Sequence, residues 1–144
     1  MDLLVIDNDR TCREAICFMI EAEGHEAEGS AWSELIWTRL EEKCFDGVLL
    51  DLDLGAASGL DLLRTFQEAQ TGLPVVLVAS EINARLASDA MRRGALDLLE
   101  KPFRREHLIA MLARLQRFRQ LRFHIERLER NLRVHEEQQR ADAH

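Results

Sequence analysis

The chain has 144 residues, 47% hydrophobic and 31% charged, which is enough to build one cored domain with room for an appendage and excludes a disordered chain. No apolar run approaches the roughly 20 residues of a membrane helix, and the opening MDLLVIDNDR lacks the basic start of a signal peptide, so a cytoplasmic protein with no membrane partner is expected. The net charge of −7 is unevenly spread: residues 1–103 carry 20 acids against 9 basic groups, whereas residues 104–144 carry 6 against 10, so an acidic body and a weakly basic tail should do different jobs, and direct nucleic-acid binding is not expected.

LLVID (3–7) reads as a short buried strand. Cys12, Ala15, Ile16, Met19 and Ile20 then fall on one helix face. Thr11 with Glu14 fits a capping box, Asp9 is an equally good N-cap, and Gly24 is a natural stop. HEAEGSA is a weak second strand and SELIWTRLEEK a short helix. GVLLDL is the third strand, and SGLDLLRTFQEA a helix with Leu60, Leu63 and Phe66 on its apolar face. LPVVLVAS is the fourth strand, NARLASDAMRRG a helix stopped by Gly94, and ALDLLE the fifth strand. From Arg104 onward the pattern is helical, with no Gly or Pro to break it.

Strands alternating with helices predict an α/β fold with a parallel sheet, covered by helices on both faces. Ligands of such sheets sit at the carboxyl ends of the strands. Asp7, Asn8 and Asp9 end the first strand, Asp51 the third, Ser80 the fourth and Lys101 the fifth. Carboxylates gathered at one edge repel unless a cation joins them, and hard oxygens suit Mg2+. A carboxylate can also act as a nucleophile that forms an aspartyl-phosphate, given positive charge and donors around the phosphoryl oxygens. The set is complete for one reaction, with Asp51 accepting a phosphoryl group, Lys101 supplying charge and Ser80 a hydroxyl.

With these residues in this order, the chain resembles the receiver domains of two-component response regulators over about residues 1–120. The resemblance implies a flavodoxin-like, doubly wound five-stranded sheet of order 2-1-3-4-5. It puts the family's acidic pair on Asp7 and Asn8, its phosphorylated aspartate on Asp51, and its metal-binding carbonyl on Asp53. The Ser/Thr falls on Ser80 and the lysine on Lys101, before a bond to Pro102 that the family usually keeps cis. It implies Mg2+ as cofactor, held by Asp7, Asn8, Asp51 and Asp53, and a histidine kinase or phosphotransfer protein as phosphodonor. It implies no enzyme in the ordinary sense, only catalysis of the domain's own phosphoryl transfer and dephosphorylation.

Three positions depart from the family pattern. Asn8 replaces the second acid, which implies weaker Mg2+ binding, and Gly55 stands where proline is common. Leu98, three residues before the lysine, stands where Tyr or Phe usually moves with the Ser80 hydroxyl. LLDLDL also fits the DxD motif of haloacid-dehalogenase-type phosphatases, but that family carries it on the first strand and needs further acids downstream. Cys12, Cys17 and Cys44 have no metal or redox spacing and read as free, buried thiols. His25, His107, His124, His135 and His144 show no metal spacing and read as surface residues.

In the tail, Phe118, Leu121, Ile125, Leu128 and Leu132 follow 3-4-3-4 spacing, His135 continues it and Met111 fits upstream, while Leu108, Leu112 and Leu115 should face the sheet. A receiver domain over 1–118 is therefore expected, with a helical extension over 119–144 that forms a coiled-coil homodimer through 118–135 or serves as a linker. AMRRGALDLLEKPF and this extension resemble the N-terminal part of enhancer-binding transcription activators of the nitrogen-regulation type. The expected function is a phosphorylation-controlled switch that regulates transcription through a fused or partner output domain. The alternative is a pseudo-receiver, a constitutive dimerisation or docking module.

Overall fold

The computed structural model describes residues 1–70 and 72–143. The strands β1 (Asp2–Ile6), β2 (Glu26–Ser30), β3 (Gly47–Asp51), β6 (Val75–Ala79) and β7 (Asp97–Glu100) form one sheet of order β2-β1-β3-β6-β7, parallel throughout. Two two-residue strands, β4 (Asp53–Leu54) and β5 (Ala57–Ser58), pair as a small antiparallel hairpin that the sequence pattern does not reveal. With that hairpin set aside, the sheet has the expected order 2-1-3-4-5. The helices are α1 (Arg10–Ala22), α2 (Leu35–Glu42), α3 (Gly59–Ala69), α4 (Ala84–Arg92) and α5 (Arg105–Asp142).

Successive strand residues point to opposite faces, so each strand feeds two cores. Leu4, Ile6, Val48, Leu50, Val75 and Leu77 meet Ile36 and Leu40 of α2, Leu63 and Phe66 of α3 and Ala90 of α4. Leu3, Val5, Leu49, Val76, Val78 and Leu99 meet Ile16 and Ile20 of α1 and Leu108, Met111, Leu112 and Leu115 of α5. The continuous apolar runs of β1, β3 and β6 follow from this burial on both faces. Edge strand β2, Glu26–Ser30, is only partly buried, which explains its weak signature.

Three sequence readings change, and one open alternative is decided. Met111 lies in the second core with only 1% of its surface exposed, so it belongs to the domain rather than to the tail seam. The three cysteines are free but not buried: Cys12 and Cys17 are half-buried and Cys44 is exposed. His25 is half-buried, with Nδ1 2.9 Å from the Met1 amino group, and His144 lies outside the described residues. Asp9 rather than Thr11 caps α1, accepting from the Thr11 and Cys12 amides, while Glu14 pairs with Arg10 at 2.8 Å.

The last helix runs unbroken from the domain into the tail. Its first half is fastened by Arg105–Glu23 at 2.7 Å, Arg114–Asp97 at 3.1 Å and Arg119–Asp46 at 3.0 Å. The Arg122 guanidinium occupies the space beside Gly72 where a side chain would otherwise stand. Contact with the domain therefore reaches past residue 118. Beyond it Leu121, Ile125, Leu128 and Leu132 are 49–62% exposed. Among the described residues, no helix is long and apolar enough to cross a membrane.

Candidate functional site

β1 ends by delivering Asp7 to the carboxyl edge of the sheet, and this carboxylate is almost wholly buried. The Asp7 amide donates to the Ser30 carbonyl at 3.1 Å, and its own carbonyl accepts from Arg13 Nη1 at 2.7 Å. Asp51 is the last residue of the neighbouring strand β3 and is also buried. Lys101 follows β7; its amide donates to the Ala79 carbonyl at 2.8 Å and so fixes the base of the side chain. The Lys101–Pro102 peptide is cis. From there Nζ reaches across the edge to Asp7 Oδ2 at 2.7 Å and Asp51 Oδ2 at 3.2 Å. Residues 94 and 50 positions apart thus form one ion triad, its carboxylates buried and its lysine half-buried.

The triad sets the titration of Asp51 and Lys101. Burial pushes the Asp51 carboxyl above its ordinary range and the charge of Asp7 pushes it further, against the opposing pull of Lys101 and the Asp53 amide. Burial pulls the Lys101 ammonium down, but the bonds and charges of Asp7 and Asp51 together outweigh it and leave the group raised.

The three consecutive polar residues after β1 point in different directions. Asp7 faces the cleft, with Oδ1 accepting from the Asp9 amide at 2.9 Å. Asp9 spends its carboxylate on the start of α1. Asn8 donates from Nδ2 to the Leu54 carbonyl at 3.0 Å and accepts at Oδ1 from the Trp32 amide at 2.7 Å. Asp53 is exposed, and its carboxylate accepts from the Gly55 amide at 3.2 Å, while its own amide approaches Asp51 Oδ1 at 3.4 Å. Ser80 is exposed on the cleft wall beside Glu81, an acid the sequence reading did not single out. Leu98 is half-buried and packs on the core that α2, α3 and α4 share.

Gly59 is a second residue that sequence reasoning missed. It opens α3 against the backbone of Asp51, where an added Cβ would lie 2.3 Å from the Asp51 carbonyl oxygen, and its amide donates to the Leu52 carbonyl at 2.9 Å. Only glycine lets the helix start so close to that strand end. The signal was present in the Ser58–Gly59 step at the head of a helix pattern.

The donor set fits a hard divalent cation. Asp7 and Asp51 converge on one cleft, the main chain of Asp53 lies beside them, and the only cation among them, Lys101, leaves the triad with one net negative charge. Among the described residues no group of three His, Cys, Asp or Glu side chains gathers as a closed metal site, so an ion here would keep several waters, as Mg2+ does.

A doubly wound parallel sheet with a lysine-bridged pair of carboxylates at its carboxyl edge defines a narrow class of signalling domain. The chain belongs to the response regulator receiver domain family, whose family model matches residues 3–113. It is 30% identical over 131 residues to the alginate biosynthesis transcriptional regulatory protein AlgB of Pseudomonas aeruginosa, covering 91% of this chain and 29% of that protein. It is 28% identical over 110 residues to the transcriptional regulatory protein FixJ of Bradyrhizobium diazoefficiens, covering 76% of this chain and 54% of that protein. The crystal structure of NtrX from Brucella abortus in complex with ATP superposes with a TM-score of 0.80 at 29% identity, over 87% of this chain and 29% of that one. The chain thus spans about half or less of the length of these relatives.

Proposed function

We propose that this receiver domain is a switch in which Asp51 accepts a phosphoryl group from a histidine kinase or phosphotransfer protein. The observation that carries the reading is the Lys101 ammonium held between Asp7 and Asp51 in a cleft open to solvent. A carboxylate oxygen of Asp51 attacks phosphorus. As the new O–P bond forms, the bond to the donor's histidine nitrogen breaks and its electron pair stays on that nitrogen. Asp7, Asp51 and the main chain of Asp53 would hold Mg2+, with Asn8 beside them, and the ion would supply positive charge against the phosphoryl oxygens. Lys101 moves its donors from the carboxylates to those oxygens, and Ser80 offers its hydroxyl from the facing strand end. Water later cleaves the O–P bond, so the domain catalyses only its own phosphorylation and release.

The readout proposed is transcriptional, through an output domain fused to or bound by the tail, and a homodimer through residues 118–135. The exposed stripe Leu121, Ile125, Leu128 and Leu132 supports the dimer, and the names of AlgB and FixJ support the transcriptional reading. Intact-mass measurement after incubation with a small phosphodonor and Mg2+ tests the central step: one phosphoryl adduct on the wild type, none on Asp51→Ala. A second reading, a pseudo-receiver that docks without turning over phosphate, is favoured by the prior engagement of the Asn8 oxygen. An unmodified wild type at saturating Mg2+ would select it.

A further inference from the structure

Three loops rise from the carboxyl edge around β1, because β1 lies between β2 and β3 in the sheet. They are Asp7–Asp9, the segment from Ala31 into α2, and the β4–β5 hairpin that follows Asp51. One side chain touches all three. Asn8 sits on the first, accepts the Trp32 amide of the second at 2.7 Å and donates to the Leu54 carbonyl of the third at 3.0 Å. The two partners are 24 and 46 residues away in sequence. They also fix which end of the amide is which, since a backbone N–H can only donate and a carbonyl can only accept.

This pair of bonds requires a group with a donor at one end and an acceptor at the other. An ionised aspartate offers acceptors only, so it would hold the Trp32 amide but face the Leu54 carbonyl with like charge. We propose that Asn8 is a positioning residue, an amide latch that fixes the β4–β5 hairpin, and with it the Asp53 backbone, beside Asp51. Leu54 is buried, so the latch acts at the anchored point of the hairpin. The other end leads into an aromatic chain: Trp32 meets Trp37 edge-on at 5.6 Å between ring centres, and Trp37 meets Phe66 at 4.8 Å. These two tryptophans are the only ones in the protein, so the latch is coupled to its intrinsic fluorescence. On this account the missing second acid is an exchange, in which a charge directed at the metal is given up for a mechanical tie between loops.

The inference rests on the proposed phosphorylation of Asp51, and the experiment separates the two. Asn8→Asp and Asn8→Ala are compared with wild type in three measurements: Mg2+ dissociation constant by tryptophan fluorescence, phosphorylation rate by a small phosphodonor at saturating Mg2+, and hydrogen exchange of the Trp32 amide. A latch predicts that Asn8→Asp phosphorylates at least tenfold more slowly at saturating Mg2+ even though its Mg2+ binding is equal or tighter. It also predicts that Trp32 exchange accelerates at least tenfold in Asn8→Ala but not in Asn8→Asp. An Asn8→Asp protein that phosphorylates as fast as wild type or faster overturns the latch and makes Asn8 a weakened metal ligand. If the wild type takes up no phosphoryl group, the reading of Asp51 falls, and the exchange data alone decide: accelerated Trp32 exchange in Asn8→Ala upholds the tie between the loops, and unchanged exchange removes it.

Discussion

Lys101 stands closer to Asp7 than to Asp51, with Nζ 2.7 Å from the first carboxylate and 3.2 Å from the second. The single cation shared by the pair therefore leans away from the proposed nucleophile, leaving one Asp51 oxygen loosely held. Removing the one cation of a buried ion cluster strands its carboxylates, at a cost of roughly 3–5 kcal/mol where water cannot enter. The cleft opens to solvent, so Lys101→Met should cost less, about 2 kcal/mol at pH 7. Mg2+ should restore part of that loss by replacing the missing positive charge. Denaturant titrations with and without millimolar Mg2+ check this. Stabilities of both proteins that do not change with Mg2+ would remove Asp7 and Asp51 as its ligands.

Asp51 itself gives a pH signature. Its carboxyl is held above the ordinary value of 3.8, chiefly by burial and then by Asp7. A group that binds its proton more tightly when folded contributes stability that is complete below the unfolded value and is lost as pH rises through the folded one. Asp51→Asn, which stays neutral, avoids that loss. The variant should be more stable than wild type at pH 7, and the difference should close as pH falls below 3.8. Unfolding midpoints between pH 3.5 and 8 measure it. A constant difference across that range would mean that Asp51 titrates alike in both states.

Gly59→Ala tests the close approach of α3 to the phosphorylation loop. Its Cβ would be driven to 2.3 Å from the Asp51 carbonyl, so either the helix or the strand end must shift. Overpacking of this kind typically costs about 1–3 kcal/mol. Asp51 moves with the strand end, so the phosphorylation rate should fall further than stability alone explains. The rate measured well below the unfolding midpoint, alongside the denaturation curve, distinguishes the two effects.

The fold was legible where burial is symmetrical. β1, β3 and β6 are covered on both faces, so each appears as an unbroken apolar run, and the polar residue after each run marks the site. The hairpin at residues 53–58 was not legible because two-residue strands leave no periodicity. Met111 was misassigned to the seam because facing the sheet and facing a second helix demand the same spacing on one continuous helix. The placement of Asp7, Asp51, Ser80 and Lys101 around one cleft followed from strand order. The bonds of Asn8 did not, since they depend on backbone groups of Trp32 and Leu54 that any residue type would supply.

The tail supplies the last prediction. Arg119 is tied to Asp46 at 3.0 Å, and Asp46 also accepts the Asp2 amide at 2.7 Å, so the direction in which α5 leaves the domain is fixed at the amino end of the sheet. Beyond that tie, Leu121, Ile125, Leu128 and Leu132 present one exposed apolar stripe on a helix that continues to Asp142. If two such stripes pack together, truncating a buried leucine typically costs about 2–5 kcal/mol, and a symmetric pair loses it twice. Leu128→Arg should do more, because it also sets two like charges against each other across the seam. The dissociation constant of the dimer should rise at least a hundredfold in Leu128→Arg with the domain's own unfolding midpoint unchanged, since Leu128 contributes nothing to either core. Analytical ultracentrifugation of both proteins, with and without beryllofluoride and Mg2+, measures the association. A wild type that stays monomeric at high micromolar concentration would sink the coiled coil. A dimer indifferent to beryllofluoride would leave it as architecture but detach it from the switch, because a phosphoryl group shifts an equilibrium only by the difference in its interactions with the two states.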